Sequence, residues 1–249
     1  MTRPETNRLA YYSFLARRAL RQKETEIGRD VIVEYENMKF LIPKGHREAF
    51  YSLYMDESEP LTYQLMSNLK GEVFVDVGAN VGGYTVRLGR RFQRVISIEP
   101  NPRAADFLRQ NIELNHLSNV RLVHDAISDT VGEATMTVPS SGKTTRSSIV
   151  KKYEQGSSFT VPTSTLDTLL QEYDKIDLIK IDVEGAEARV LKGAEKTIQR
   201  TSKIVLELDP LSQQVVYEIL DKHGFEISDL DVRTTGDEIR SKNIAAVHY

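Results

Sequence analysis

Strand-like and helix-like segments alternate along most of the chain, and this alternation limits the possible fold more than any other feature of the sequence. Between residues 62 and 223, apolar runs typical of buried strands recur with amphipathic helical patterns between them. Such an order favours right-handed crossovers and a parallel sheet with helices on both faces. The predicted strands cover residues 73–77, 94–99, 120–124, 176–181, 203–208, 225–230 and 244–248.

The last two of these strands flank a turn signal at Gly236 and Asp237, so they are expected to close the sheet as an antiparallel pair. We therefore predict an α/β fold with a doubly wound, mostly parallel sheet of seven strands. One further predicted helix, over residues 186–199, connects the fourth strand to the fifth.

Two regions fall outside this alternation. Residues 5–23 predict an amphipathic helix with a basic side, and residues 31–35 and 39–42 predict a β-hairpin that turns at Glu36 and Asn37. We assign residues 1–59 to an N-terminal extension and residues 60–249 to the α/β domain. A polar loop rich in Ser and Thr, residues 139–158, lies between two short predicted strands and is typical of a lid, a binding loop or a disordered segment.

Composition narrows the class of protein. The chain has 33 Lys and Arg against 36 Asp and Glu, and this net charge of −3 argues against a dedicated nucleic-acid-binding protein. It has no cysteine, which excludes disulfides and cysteine-based chemistry. No run approaches the roughly 20 apolar residues of a membrane-spanning helix. We expect a cytoplasmic protein without a transmembrane segment. Its basic helix is expected to pack on the body of the protein, with contact to a membrane surface, an acidic partner or a second copy of the chain as the alternative.

The first predicted strand ends in a glycine-rich turn, VFVDVGANVGG, over residues 73–83. Asp76 ends the strand, and Gly78 and Gly82 allow the backbone to turn sharply and approach a ligand closely before a helix begins. In an open α/β sheet, ligands bind beyond the carboxyl ends of the strands, where the strand order reverses. This turn is therefore predicted to hold a nucleoside cofactor, with Ala79, Asn80 and Tyr84 also facing it.

The next two strand ends fit the same cofactor. Glu99, 23 residues beyond Asp76, has nearly the spacing at which an acid binds ribose hydroxyls, and Pro100 and Asn101 follow it. Asp125 and Ala126 follow the third strand, where a carboxylate either accepts from the adenine amine or only forms a turn or a helix cap. Asn80 stands where a pyrophosphate would need glycine, so the turn favours S-adenosylmethionine over a dinucleotide.

The fourth strand and its continuation carry the densest set of ionisable groups. Lys180 and Asp182 share one face of the strand, and Lys180 is either catalytic or part of a buried ion pair with Asp76 or Glu207. Asp182 can orient the methyl donor or take a proton from an acceptor hydroxyl. Glu184 borders the same place, although it can equally belong, with Glu187, to the acidic first turn of the next helix.

Two further expectations concern the chemistry. His124 is an alternative base, or a strand-end histidine with only a structural role. The carboxylates of Asp182, Glu184 and Glu207 are suitable oxygen ligands for a divalent cation, but their spacing specifies no site. We therefore predict that no metal is required.

The motifs VDVGANVGGYT, SIEPNP, NIELN, HDAIS, STLDTLL, IKIDVEGAEARVLKGAEKTI and VLELDP resemble, in order and spacing, the FkbM family of methyltransferases. The resemblance covers about residues 70–210 and implies a class I, Rossmann-like methyltransferase fold. It implies that residues 76–82, Glu99, Asp125 and Ala126 bind S-adenosylmethionine, and that Asp182 and Glu184 border the transfer site. It also implies O-methylation of a sugar, a glycan or a small metabolite. The N-terminal extension does not match the family pattern.

Three other functions share parts of this pattern. An RNA methyltransferase would use the basic helix and the loop residues Lys143, Arg146, Lys151 and Lys152 to hold phosphates. A nicotinamide-dependent oxidoreductase has a similar fold but requires a pyrophosphate next to Asn80. A scaffold without catalytic activity would not need the intact cofactor and KIDVEGAE motifs.

Overall fold

The computed structural model describes residues 30–42, 55, 59–139, 147–151, 156–235 and 238–248. In chain order, the strands are β1 (Val31–Tyr35), β2 (Met38–Ile42), β3 (Gly71–Val77), β4 (Phe92–Ile98), β5 (Val120–Val123), β6 (Ala126–Ile127), β7 (Gly132–Pro139), β8 (Gly156–Ser164), β9 (Leu178–Ile181), β10 (Lys203–Leu208), β11 (Glu226–Thr235) and β12 (Glu238–Val247). The helices are α1 (Pro60–Ser67), α2 (Gly83–Leu88), α3 (Pro102–Leu114), α4 (Leu166–Leu169), α5 (Glu187–Lys192), α6 (Glu195–Ile198) and α7 (Gln213–Lys222).

The central sheet has seven strands in the order β11-β12-β10-β9-β3-β4-β5. Strands β10, β9, β3, β4 and β5 are parallel, whereas β12 is antiparallel to both β10 and β11. The predicted doubly wound sheet with a closing antiparallel pair is therefore confirmed. The chain builds outward from β3 to β4 and β5, then returns to the other side of β3 at β9. This reversal places a ligand crevice at the carboxyl ends of β3 and β9.

The central strands are buried on both faces, as their continuous apolar sequences predict. Val75, Ile96, Ile179 and Leu206 from four neighbouring strands are all at most 1% exposed and belong to one core. Burial of such side chains stabilises the fold by roughly 25 cal/mol for each Å² of apolar surface removed from water. The sheet therefore forms a rigid base for the loops at its carboxyl edge.

A second, smaller sheet contains the short strands that flank the polar loop. Its order is β6-β8-β7, with β8 antiparallel to β7 and parallel to β6. The C-terminal end of the predicted loop, residues 156–158, belongs to β8. Residues 147–151 are described and lie beside β7, where Thr137 and Ser148 form an isolated bridge. The rest of the loop lies outside the described residues.

The predicted continuous helix over residues 186–199 is wrong, because the structure has two short helices, α5 and α6, in its place. The break occurs at Gly193, whose backbone packs so closely on another loop that an added Cβ would lie 2.1 Å from the carbonyl oxygen of Ser128. The Gly193 carbonyl also accepts a hydrogen bond from the amide of Asp167 at 3.0 Å. A tertiary contact therefore overrides the local helical pattern.

The predicted β-hairpin is present as β1 and β2, and two asparagines attach it to the domain, Asn111 within α3 and Asn115 directly after it. The Asn111 side chain accepts from the amide of Leu41 at 2.6 Å and donates to the carbonyl of Val81 at 2.8 Å. One helical turn later, Asn115 accepts from the amide of Lys39 at 2.9 Å and donates to the Lys39 carbonyl at 2.6 Å. The hairpin thus packs beside the turn that follows β3.

We expect Asn111→Ala to lower the free energy of unfolding by about 2 to 4 kcal/mol, because it leaves two buried backbone groups without hydrogen bonds. Asn111 is fully buried, so water cannot replace the lost amide. Urea unfolding followed by circular dichroism measures the change. The control is Gln110→Ala, at a half-buried position of the same helix whose side chain donates to the Asp106 carbonyl within that helix. Equal stability of the two variants would contradict the assigned role of Asn111.

Some expectations lie outside the described residues, namely the basic helix over residues 5–23 and the turn at Gly236 and Asp237. The division of the chain after residue 59 stays a prediction. Within the described part of the chain, no helix has the length and apolar character needed to span a bilayer.

Candidate functional site

The turn after β3 lies against the end of β9, and Gly78 makes this contact possible. Gly78 has a φ of +81°, and a Cβ at this position would lie 1.9 Å from the carbonyl oxygen of Asp182. The Asp182 amide in turn donates to the Val77 carbonyl at 3.0 Å. No side chain can replace the hydrogen of Gly78 without moving β9 or the turn. The glycine turn and Asp182 therefore lie next to each other at the point where the strand order reverses.

The remainder of the turn presents backbone groups at the carboxyl edge of the sheet. The amides of Gly78 and Ala79 both donate to the Ile98 carbonyl at 3.0 Å. Gly82 directly precedes α2 and has a φ of +95°. Its missing side chain makes room for Leu108, whose Cδ1 would be 2.6 Å from a Cβ. The turn is thus a tightly packed backbone surface, which a flat nucleoside can approach closely.

Glu99 supports this turn from the neighbouring strand. Its two carboxylate oxygens accept from the amides of Asn80 and Asn101, each at 2.8 Å. Burial raises the pKa of Glu99 to about 7, although these two amide hydrogen bonds act in the opposite direction. A carboxylate has about four acceptor positions, so two remain for the hydroxyl groups of a ribose. Pro100 connects Glu99 to Asn101, which caps α3 by accepting from the Arg103 amide at 3.0 Å.

The end of β5 lies on the other side of β4. Ala126 is buried and Asp125 is half-buried. Within the part of the chain that the structure describes, no hydrogen bond or ion pair engages the Asp125 carboxylate, which leaves it available to an adenine amine. His124 is exposed, and its strand is three strand spacings, or roughly 14 Å, from β9. The structure therefore does not bring His124 to Asp182.

Asp76 and Tyr84 lie beneath the turn. Asp76 is buried and accepts from the Thr85 hydroxyl at 2.6 Å. Burial raises the pKa of Asp76, whereas Lys180 on the adjacent strand lowers it. The Tyr84 ring is also buried and lies under the Lys180 ammonium, 5.0 Å from the ring centroid. Both side chains therefore support the turn from below, and any contact with a cofactor is left to their backbone.

Lys180 is a buried cation whose nearest partner is Asp182. Its Nζ lies 3.2 Å from the Asp182 carboxylate, and the Lys180 side chain is 5% exposed whereas that of Asp182 is 35% exposed. Burial lowers the pKa of Lys180, but Asp182, Asp76 and two more distant carboxylates outweigh this effect and raise it. Lys180 is therefore charged and holds the Asp182 carboxylate at the crevice.

A buried carboxylate from outside the predicted motifs joins this group. Glu59 accepts from the Tyr84 hydroxyl at 3.1 Å and from the Asn243 side chain at 2.9 Å. Burial, followed by the negative charge of Glu59, raises the pKa of Tyr84 well above its usual value. Glu59 precedes Pro60 at the start of α1, a position typical of an ordinary helix N-terminus, so no pattern in the sequence indicates this role.

Glu184 lies where the sequence places it, at the rim beyond β9, but its partners were not foreseen. Lys151 forms ion pairs with Glu184 at 3.1 Å and with Asp209, just beyond β10, at 2.8 Å. Asp209 is the aspartate of the VLELDP motif, so its position just after a strand was the available signal. From the sequence, the only role predicted for Lys151 was to hold phosphates in an RNA methyltransferase.

Glu187 has a structural role, since its carboxylate accepts from the Gly185 amide at 2.7 Å and from the Ser212 hydroxyl at 2.5 Å. Among the described residues, no three His, Asp or Glu side chains converge as a metal site would require. The independence from metal stays a prediction.

The crevice thus combines two chemical halves. One half has a close-packed backbone turn, the Glu99 carboxylate and Asp125, which together suit a nucleoside with ribose hydroxyls and an amine. The other half has a partly exposed carboxylate, Asp182, fixed by a buried ammonium. A group carried by a nucleoside on this turn would lie beside residue 182, because the Asp182 backbone carbonyl packs against Gly78.

Comparison with known sequences agrees with this geometry. The profile of the methyltransferase FkbM domain matches residues 76–241, which is most of the α/β domain. The chain is 28% identical over 200 residues to the methyltransferase sdnD of Sordaria araneosa, covering 66% of this chain and 77% of that protein.

Two further relatives are named after their chemistry. The hexuronic acid methyltransferase AglP of Haloferax volcanii is 27% identical over 139 residues, which cover 55% of this chain and 56% of AglP. The 2-O-methyltransferase NoeI of Sinorhizobium fredii is 32% identical over 169 residues, which cover 59% of this chain and 65% of NoeI. The chain thus spans less than two thirds of each of these two proteins. The extent of the domain match, together with the glycine turn and the strand-end acids that it includes, shows that the chain belongs to the FkbM family of S-adenosylmethionine-dependent methyltransferases.

Proposed function

We propose that the protein transfers the methyl group of S-adenosylmethionine to a hydroxyl of a sugar, a glycan or a small metabolite. The observation that carries this proposal is the backbone contact between the turn at Gly78 and residue 182, which brings residue 182 next to the turn that we assign to the donor. Asp182 is 35% exposed, so its carboxylate can also reach an acceptor in the crevice.

The residues divide between donor and acceptor. We assign Gly78, Ala79, Asn80, Gly82, Glu99 and Asp125 to the donor, with Asp76, Tyr84, Pro100, Asn101 and Ala126 shaping the same pocket. S-adenosylmethionine supplies an electrophilic methyl group on a sulfonium. In an in-line transfer the acceptor oxygen bonds to the methyl carbon as the carbon–sulfur bond breaks, and we assign the hydroxyl proton to Asp182. Lys180 orients Asp182 and Glu184 lines the rim.

The names of two relatives support an oxygen acceptor on a sugar. AglP is named for hexuronic acid and NoeI for 2-O-methylation. The carboxylates of Asp182 and Glu184 at the rim suit an acceptor rich in hydroxyl groups, because hydroxyls donate hydrogen bonds to carboxylates.

An RNA acceptor receives less support from the site. Lys151, one of the four basic loop residues that would hold phosphates, is engaged by two carboxylates. Lys180, another cation at this edge, is buried beneath Asp182. Neither ammonium is placed to bind a phosphate without first leaving an ion pair.

The test uses purified protein and S-adenosylmethionine with a tritiated methyl group. Methyl glycosides, glucuronic acid and unfractionated tRNA are offered as acceptors, with and without EDTA. We expect label in a carbohydrate, no loss with EDTA, and calorimetric binding of S-adenosylhomocysteine with no binding of NAD. Label in tRNA alone would overturn the acceptor class, and absence of S-adenosylhomocysteine binding would overturn the assignment of the donor pocket.

A further inference from the structure

The short segment of residues 147–151 crosses from the donor side of the crevice to the acceptor side. At one end, the Asn101 side chain donates to the Ser147 hydroxyl at 2.9 Å. One residue later, the Ser148 hydroxyl donates to the backbone carbonyl of Glu184 at 2.9 Å. The same segment thus touches the loop after β4, next to Glu99, and the loop after β9, next to Asp182.

The backbone of this segment is fixed so that it presents Lys151. The Ser148 hydroxyl oxygen accepts from the amides of Val150 and Lys151, at 3.1 and 3.0 Å. Thr137 of β7 exchanges two backbone hydrogen bonds with Ser148, and its hydroxyl donates to the Lys151 carbonyl. The lysine therefore projects from a turn that is attached to the smaller sheet.

The Lys151 ammonium then joins two loops of the central sheet. It lies between the carboxylates of Glu184 and Asp209. The side chain of Lys151 is 31% exposed, that of Glu184 is 29% exposed and that of Asp209 is 14% exposed. Burial lowers the pKa of Lys151, but the hydrogen bonds and charges of the two carboxylates outweigh this effect and raise it. Partly buried ion pairs of this kind are screened by salt less than exposed pairs. Lys151 is thus a cation at the centre of three segments.

The backbone beyond β9 fits this lysine. Glu184 has a φ of +52°, which is unfavourable for a residue with a side chain, and Gly185 follows with a φ of +101°. A Cβ on Gly185 would lie 3.3 Å from Cε of Lys151, so the lysine stem passes directly over this glycine. The glycine provides room for Lys151, and the ion pair with Lys151 holds the Glu184 side chain at the rim.

We propose that Lys151 is a positioning residue of the acceptor site, which holds residues 147–151 across the crevice and engages the carboxylates of Glu184 and Asp209. Asp182 then remains as the carboxylate that receives the acceptor proton. This inference rests on the proposed function, because it assigns the acceptor side of the same crevice. Lys151 does not touch the reacting atoms, so its effect is on acceptor binding and not on the donor.

The test compares Lys151→Met and Lys151→Arg with Lys175→Met as the matched control. Lys175 also pairs with an aspartate, Asp177, at 3.4 Å, but it is exposed and precedes β9, at the opposite edge of the sheet. We expect Lys151→Met to raise the acceptor KM about tenfold, the size of one lost charge-assisted hydrogen bond, with little change in kcat. Arginine, which can contact both carboxylates, should restore the KM to within about threefold.

Two measurements do not need the acceptor. Calorimetry should show the same affinity for S-adenosylhomocysteine in all variants. Hydrogen exchange of a peptide that covers residues 147–151 should become faster in Lys151→Met and stay unchanged in Lys175→Met. Unchanged exchange in Lys151→Met would overturn the proposal by itself, and so would an unchanged acceptor KM. If the wild-type protein methylates no hydroxyl compound while exchange behaves as expected, the proposed function fails and the positioning of the segment stands.

Discussion

Asp182→Asn is expected to lower kcat by about a hundredfold to ten-thousandfold, the range that a positioned general base contributes. The asparagine keeps the size of the side chain and can still accept from Lys180, but it cannot take the acceptor proton. The backbone contact between residue 182 and Gly78 does not depend on the side chain. The donor pocket should therefore persist, with an affinity for S-adenosylhomocysteine within about threefold of the wild type.

The same substitution also tests how Lys180 is stabilised. Removing the nearest carboxylate leaves a buried ammonium with only more distant carboxylates, so the melting temperature should fall. The loss should be smaller than for a fully buried pair, because the Asp182 side chain is 35% exposed and water can compensate in part. Asp106→Asn on the exposed side of α3 is the control, since Asp106 also contacts a cation, Arg109 at 3.0 Å, but lies on the helix surface.

Two outcomes would contradict the role of Asp182 as base. A variant with nearly normal kcat would show that proton removal needs no protein group or uses a different one. A variant that no longer binds S-adenosylhomocysteine would show that the carboxylate mainly holds the donor. Tritium transfer and calorimetry on the same preparation separate these cases.

The fold could be predicted because the central strands β3, β4, β9 and β10 are mostly apolar runs, each followed by a helical pattern. The site could be predicted in outline for a geometric reason. Parallel strands place their carboxyl ends at one edge, so acids that end successive strands, such as Glu99 and Asp182, gather there without further information.

What could not be predicted depends on tertiary partners. Lys151 and Asp209 are far apart in the sequence, and so are Glu59 and Asn243. No periodic pattern in the sequence connects the members of either pair, because the loops that bring them together have no repeating geometry. The helix break at Gly193 is of the same kind, since a contact with Ser128 decides it. A position at a strand end also does not determine where the side chain points. Asp76 is an example, because its side chain is buried beneath the turn that follows it.

Glu99 should make donor binding depend on pH. Its carboxylate already accepts two amide hydrogen bonds, and ribose hydroxyls would donate to the remaining acceptor positions, which are strongest when the group is ionised. Because burial raises the pKa of Glu99 to about 7, a large share of the empty protein is protonated below that pH. The affinity for S-adenosylhomocysteine should therefore rise with pH, by up to tenfold per unit below about pH 7, and level off above it.

The stability of the empty protein should change in the opposite sense. A carboxyl group whose pKa is raised in the folded state binds more protons there than in the unfolded chain, so stability falls as pH rises between the two pKa values. For Glu99 this window runs from about 4.5 to about 7, and the loss across it is about 3 kcal/mol. Asp76 and Glu187, whose pKa values burial also raises, add to the same trend.

Glu99→Gln should remove both effects of this residue. The glutamine side chain cannot ionise. Its NH2 group would face one of the two backbone amides that now donate to the carboxylate, and it cannot accept a hydrogen bond from that amide. We expect the affinity for S-adenosylhomocysteine to fall about a hundredfold, corresponding to one or two charge-assisted hydrogen bonds, and to lose most of its pH dependence. The decline of stability with pH should become shallower, because only the other buried carboxyl groups remain. Calorimetry and urea unfolding at several pH values measure both, with the exposed Glu113→Gln as control. A variant that binds as tightly as the wild type and keeps its pH dependence would show that Glu99 only supports the turn and does not meet the ribose.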